Sequence, residues 1–138
     1  MMPADLGRVL AARLDGPHTD NLTATAAELA AEAVRLLNYA TGPHADTGLT
    51  YPATVYAVTA SLSLAASRLG QLSGQMTDFL DRELAAGRLG DDSGRDPVLV
   101  VERARRDLEA AARAPGLLAR ALADAQNDVA SLHQREGR

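Results

Sequence analysis

The chain has 138 residues and a net charge of −4, and it contains no Cys. Its length supports one domain with one hydrophobic core, so we predict a single domain over residues 1–138. The acidic balance disfavours general binding to nucleic acid or anionic membranes, which needs a basic excess. Without Cys the chain has no disulfides, no thiolate metal sites and no thiol catalysis, as is typical of a reducing compartment.

The composition favours helices over sheets. Ala and Leu occupy 28 and 21 positions, whereas the aromatic residues number four. Such a chain packs helices closely through small side chains. All the basic residues are Arg, and they are spread along the chain. Because the N-terminus lacks a basic start followed by an apolar run, we expect a cytoplasmic protein.

Two helices are predicted in the first third of the chain. The first covers residues 3–14 and ends before Gly16-Pro17, which interrupts the apolar spacing. The second covers residues 21–41 and ends at Gly42-Pro43. Its start has two possible caps: Asp20 for an early start, or a Thr25 capping box for a later one.

The third predicted helix covers residues 52–86, with Pro52 in its first turn and Gly87 at its C-terminal stop. Its apolar residues alternate at three- and four-residue spacing, which is typical of a helix packed along another helix. They are Val55, Val58, Leu62, Ala65, Leu69, Leu72, Met76 and Phe79. We predict that this ladder forms the seam of a helical hairpin.

The fourth predicted helix covers residues 97–134 and begins with the cap and first residue Asp96-Pro97. Its apolar ladder follows the same spacing, at Val101, Ala104, Leu108, Ala111, Pro115, Leu118, Leu122, Ala125, Val129 and Leu132. An internal Pro removes one backbone hydrogen bond, but the ladder keeps its register across Pro115. We therefore predict a kinked, nearly continuous helix rather than two helices at a sharp angle. The predicted fold is all-α, an elongated antiparallel bundle of about four helices built on this long hairpin.

The third predicted helix has an unusual surface, because Arg68 is the only charged residue between Thr47 and Thr77. A helix exposed on one side normally carries charges there. The helix is therefore either enclosed by the other helices or part of a subunit interface, as in a symmetric dimer. Its Ser and Thr residues disfavour a membrane span. The candidate interface residues are Ser63, Ser67, Gly70, Gln71 and Gly74.

Three of the four aromatic residues, Tyr39, Tyr51 and Tyr56, lie around the turn between the second and third predicted helices. Tyr side chains at such a position either pack the helix junction or bind a partner. Both interpretations stay open, and we include the three residues in the candidate interface.

Four arginines of the fourth predicted helix, Arg103, Arg105, Arg106 and Arg113, form a candidate basic patch. They support an alternative function as a small nucleic-acid-associated regulator, although acidic residues alternate with them. His18, His44 and Asp46 lie in two neighbouring loops, but their spacing does not indicate a metal site. We predict no catalytic residues, no cofactor and no metal.

The segment Tyr51-Pro52-Ala53-Thr54-Val55-Tyr56, the Gly87-Arg88-Leu89 turn and the Ala- and Arg-rich last helix resemble a group of small actinobacterial helical proteins with no assigned activity. The similarity spans residues 20–134 and implies no catalytic or binding residues. Secreted, Cys-free helical hairpins with a Trp-containing turn are a second comparison, from which the absence of Trp separates this chain. We expect a non-enzymatic interaction or scaffold protein that self-associates, with a dimer favoured.

Overall fold

The computed structural model describes residue 14, residues 16–43 and residues 47–135. These ranges contain three helices and no strand: α1 (Asp20–Ala40), α2 (Pro52–Ala85) and α3 (Pro97–Val129). They correspond to the second, third and fourth predicted helices, and the all-α class is confirmed. The predicted helix over residues 3–14 lies outside the described residues apart from Leu14, so three helices stand where about four were predicted.

The chain divides into two compact units, Met1–Gly48 and Leu49–Arg138. In the first unit, Thr19 caps α1 by accepting a 3.1 Å hydrogen bond from the backbone N–H of Leu22. The helix therefore starts one residue before the earlier of the two predicted starts, and Asp20, predicted as a cap, is its first residue. At its other end, the hydroxyl of Thr47 and the N–H of Gly48 both donate to the carbonyl oxygen of Ala40. None of the residues in α1 is buried.

The second unit is an antiparallel hairpin of α2 and α3, with 34 and 33 residues. At 1.5 Å per residue, each helix is about 50 Å long. The start of α3 matches the prediction, since the Asp96 carboxylate accepts a 3.0 Å hydrogen bond from the N–H of Val98. Helix α2 begins at Pro52 without a side-chain cap.

Helix α3 runs without a break through Pro115, which is half-buried on the side that faces α2. The prediction of a single helix across this proline is therefore confirmed. The predicted end at residue 134 is wrong, because the helix ends at Val129. The turn after it is closed by the N–H of Leu132, which donates to the carbonyl oxygen of Val129.

Three contacts set the register of the hairpin. The hydroxyl of Ser63 donates a 2.8 Å hydrogen bond to the carbonyl oxygen of Ala119. Further along α2, Gly70 lies beside the Ala112 carbonyl, which would be 3.7 Å from a Cβ built on the glycine. Near the turn, Asp81 and Arg105 form an ion pair between the two helices. Residues of α2 therefore lie level with progressively earlier residues of α3 as the hairpin approaches its turn.

The buried seam of the hairpin differs from the predicted one. On α2, the seam positions are half-buried or buried and carry mainly small or polar side chains: Thr59, Ser63, Ala66, Gly70, Ser73, Thr77, Leu80 and Leu84. From Ala65 to Phe79 the predicted ladder on α2 is offset from this seam by about one residue, or about 100° around the helix. Its first three members, Val55, Val58 and Leu62, are half-buried, so the prediction holds in part at that end. Small side chains let the helices approach closely, and the Ser63 hydroxyl finds a backbone acceptor across the seam.

The prediction for α3 is correct in part. The observed seam keeps the predicted positions Val101, Leu108, Pro115, Leu122 and Val129. Between them, Arg105, Ala112, Ala119 and Gln126 are half-buried, and each follows a predicted position. Of those predicted positions, Ala104 and Ala125 are also half-buried, whereas Ala111 and Leu118 are exposed. On both helices the observed seam is therefore rotated from the predicted ladder toward the following residue, and the rotation is smaller on α3 than on α2.

The turn between α2 and α3 is held by charged side chains and by glycines in the left-handed region. Gly87 and Gly94 have φ values of 70° and 78°. The Arg88 guanidinium donates two hydrogen bonds to Glu83, of 2.6 and 2.9 Å. Arg95 and Ser93 donate to the Asp91 carboxylate, and these hydrogen bonds hold its pKa well below the usual range.

Replacing Gly74 with Ala should raise the free energy of unfolding by about 0.5–1 kcal/mol, because Ala loses less backbone entropy in a helix. A methyl group there meets no atom within 4 Å. Thermal unfolding followed by circular dichroism measures the change. As a control, Gly70→Leu should destabilise the hairpin, since a large side chain at this seam position pushes α3 away. A lower unfolding temperature for Gly74→Ala would contradict the placement of Gly74 in α2 outside the seam.

The turn should also make stability depend on pH. Because the folded-state pKa of Asp91 is lowered, its contribution is complete above the ordinary carboxyl pKa of about 4. That contribution is lost as the pH falls through 4 toward the folded-state value. The difference in unfolding temperature between the native chain and Asp91→Asn should therefore be largest at pH 7 and should narrow as the pH falls from 4 to 3. A difference that stays constant over this range would show that the carboxylate does not stabilise the turn.

Candidate interaction surface

A stripe of large apolar side chains lies on the open side of α2. Leu69, Leu72, Met76 and Phe79 are 42–51% exposed, although they belong to the ladder that the sequence predicts as the seam. Each stands one residue before a seam position such as Gly70 or Ser73. The stripe is therefore next to the seam, on one flank of the hairpin.

Helix α3 carries a second apolar stripe of smaller side chains. Its members stand one residue before the seam positions of α3, and Asp107, which precedes the seam position Leu108, interrupts them. They are Ala104, Ala111, Ala114, Leu118, Ala121 and Ala125. Leu118, the only large residue among them, is 52% exposed.

The two stripes lie on the same side of the hairpin. Each stripe stands one residue before its seam, which corresponds to a rotation of about 100° around its helix. Viewed from one end of the hairpin, this rotation is clockwise for one helix and counterclockwise for the other, because the helices are antiparallel. Since the two seams face each other, these opposite rotations bring both stripes to the same side of the hairpin. We call this combined surface of α2 and α3 the apolar face.

The other side of the hairpin is polar, and we call it the polar face. There α2 presents exposed Ser67, Gln71, Gly74 and Asp78. Helix α3 presents exposed charged residues, which are Glu102, Arg106, Glu109 and Arg113. The polar face has the composition of a solvated helix surface, whereas the apolar face does not.

The described residues enclose very little core. Ala66 and Val101 are the buried hydrophobic residues in the described ranges, and Ser73 is the buried polar residue. Folded domains ordinarily bury their large aliphatic and aromatic side chains. In this hairpin Leu69, Leu72, Met76 and Phe79 remain in contact with solvent. The α2 seam beside them is lined by the small side chains of Gly70, Ser73 and Thr77.

The predicted interface residues of α2 are divided between the seam and the polar face. Ser63 and Gly70 face α3. Ser67 and Gln71 are exposed, and the Ser67 hydroxyl donates to the Leu64 carbonyl oxygen of its own helix. Gly74 lies in a groove of about 230 Å³, which it lines with Asp78 and Glu109. None of these residues belongs to the apolar face.

The tyrosines of the candidate interface are exposed. Tyr51 precedes α2 and lines an apolar cleft of about 310 Å³ with Pro52, Val55 and Val129. Tyr56 is one turn further along α2 and is 41% exposed. Tyr39 lies near the C-terminus of α1 in the first unit, where most of its side chain is exposed.

Arg105 is separated from the other residues of the predicted basic patch, because it lies in the seam and is paired with Asp81. Arg103 is exposed and stands three residues before Arg106, about 60° from it around α3. Arg106, Arg113 and the overlooked Arg120 follow one line along α3, as their seven-residue spacing indicates. Glu102 and Glu109 stand beside this line, so its positive charge is partly balanced.

Within the described ranges, no group of three or more His, Asp and Glu side chains is placed to hold a metal ion. Two of the metal candidates considered from the sequence, His44 and Asp46, lie outside the described residues. None of the described helices is long and apolar enough to cross a membrane.

The chain was compared with known proteins at three levels. No protein-family model, no curated protein sequence and no solved structure matches it.

Proposed function

We propose that this chain is a non-enzymatic interaction protein whose helical hairpin self-associates through the apolar face. The observation that carries the proposal is the stripe of Leu69, Leu72, Met76 and Phe79, which are large, adjacent and about half exposed. Exposed apolar patches of this kind mark interaction sites. The interface proposed here differs from the one predicted from the sequence, because the structure uses Ser63 and Gly70 inside the hairpin.

The hydrophobic effect supplies the driving force. Full burial of a Leu, Met or Phe side chain stabilises by about 1.5–3 kcal/mol. Four side chains that are already half-buried therefore have roughly 3–6 kcal/mol left to gain, before the entropy cost of association. The Ala residues of α3 add area at almost no cost in side-chain entropy. A surface with these properties favours a protein partner over a polar ligand.

The alternative function, a nucleic-acid-associated regulator, has less support. One of its four arginines, Arg105, is engaged by Asp81 within the hairpin. Arg106 and Arg113 stand beside Glu102 and Glu109, which weaken attraction to phosphates. We retain the cytoplasm as the expected compartment.

The native chain should form a dimer that Leu72→Glu disrupts, because the substitution places an uncompensated charge in the desolvated interface. We expect the dissociation constant to rise by a factor of about 100 or more, as for other residues at the centre of an interface. Light scattering over a range of protein concentrations measures the mass, and circular dichroism verifies that the helices remain.

Gln71→Glu is the matched control, since it introduces the same side chain at the neighbouring position, on the polar face. It should leave the dissociation constant within about threefold of the native value. A native chain that is monomeric at all concentrations would contradict self-association. Disruption by Gln71→Glu but not by Leu72→Glu would place the interface on the polar face, among the residues predicted from the sequence.

A further inference from the structure

We propose that the apolar face is covered by a second copy of this chain, related by a two-fold axis parallel to the helices. In this arrangement α2 of each copy packs on α3 of the other, and both turns lie at the same end of a four-helix bundle. The inference rests on the proposed self-association and specifies its geometry. It follows from how large and small side chains are distributed along the two helices.

The register of the hairpin matches side-chain sizes across such an interface. The Ser63–Ala119 and Asp81–Arg105 contacts fix which residues of α2 and α3 lie at one level. A two-fold axis parallel to the helices preserves these levels between the copies. Near the turn Phe79 then meets the level of Ala104 in the other copy.

The match continues along the bundle. Leu72 reaches the level of Ala111, and Leu69 reaches the level of Ala114. Large side chains of α2 therefore stand against small ones of α3 at each of these levels. Alternation of large and small residues across facing positions allows interdigitation at the density of a protein core.

In each stripe one residue differs in size from the others, and these two residues also fit the packing of α2 on α3 of the second copy. Ala65 is the small residue in the α2 stripe, and Leu118 is the large residue in the α3 stripe. The register places them at nearly the same level. Where α2 offers a small side chain, α3 of the second copy therefore supplies a large one, and the contact stays filled. Asp107 stands one residue before the seam position Leu108 and is level with Met76, so this pair places a charged residue of α3 against a large apolar residue of α2.

The alternative two-fold axis is perpendicular to the helices and places the turns at opposite ends. In that arrangement α2 packs on α2 and α3 packs on α3. The large side chains of Leu69, Leu72 and Phe79 would then meet each other, while the Ala residues would face Ala. One half of the interface would be held apart by large residues and the other half left underpacked.

The exposed part of the α2 stripe, from Ala65 to Phe79, is about 21 Å long, at 1.5 Å per residue. Two neighbouring helices, each about 10 Å across, make this part of the face roughly 400 Å² in area. A standard specific interface buries about 800 Å² per partner, so the exposed stripe supplies about half of that area. The half-buried Val55, Val58 and Leu62 extend the stripe toward the N-terminus of α2.

The absence of Cys allows a clean measurement of this geometry. A spin label attached to Asp92→Cys, at an exposed position of the turn, is the only label on each chain. Dipolar spectroscopy of the dimer then reports the distance between the two turns. We expect the two labels to be less than about 35 Å apart, because both turns lie at the same end of the bundle. Neighbouring helix axes there are about 10 Å apart, and the turns and label side chains add to that separation. Ser131→Cys, at the opposite end of the hairpin, should also give a short distance.

Distances near 50 Å at both positions would overturn the parallel axis in favour of the perpendicular one, because the helices are about 50 Å long. In that case the proposed self-association would stand and the arrangement would be wrong. Light scattering on the labelled chains, which verifies the dimer, separates the two proposals. A labelled chain that remains monomeric, with the native chain also monomeric, would contradict both.

Discussion

The close packing of α2 on α3 through small side chains is the constraint on which the rest of the hairpin depends. Ala66, Gly70 and Ser73 line the seam on α2, and the Ser63 hydroxyl bonds to the backbone of α3. Because these residues occupy the seam, the larger apolar residues of α2 are turned by about 100° toward the open flank. The apolar face is a direct consequence of this choice of seam.

The same rotation separates apolar from charged surface. On one side of the hairpin, the large side chains of α2 lie beside the Ala residues of α3. On the other side, Gln71 and Asp78 lie beside Glu109 and Arg113. The hairpin therefore has one side suited to water and one suited to another protein surface. With so little core within the described ranges, association through the apolar side offers the largest available gain in hydrophobic stabilisation.

Much of the fold could be predicted from local signals. Pro52 and the Asp96-Pro97 pair mark the starts of α2 and α3, and Gly87 adopts the positive φ expected of a residue after a helix. Continuity through Pro115 was also predictable, because the apolar spacing keeps its phase there. The end of α3 was less certain, since the apolar spacing continues to Leu132 while the helix ends at Val129. Apolar spacing shows which residues share one face of a helix, but it does not show where the last backbone hydrogen bond of the helix forms.

Propensity, caps and periodicity are enough to predict the helical class, the hairpin and the apolar stripes at coiled-coil spacing. The packing of the two helices against each other selects which stripe is buried. Two neighbouring stripes of α2 have helical spacing, one of large residues and one of small residues, and hydrophobicity alone favours the large one. The choice of the small one depends on how closely two backbones approach, which is a property of both helices together. That choice moved Ser63 and Gly70 into the seam and left Leu72 and Phe79 exposed.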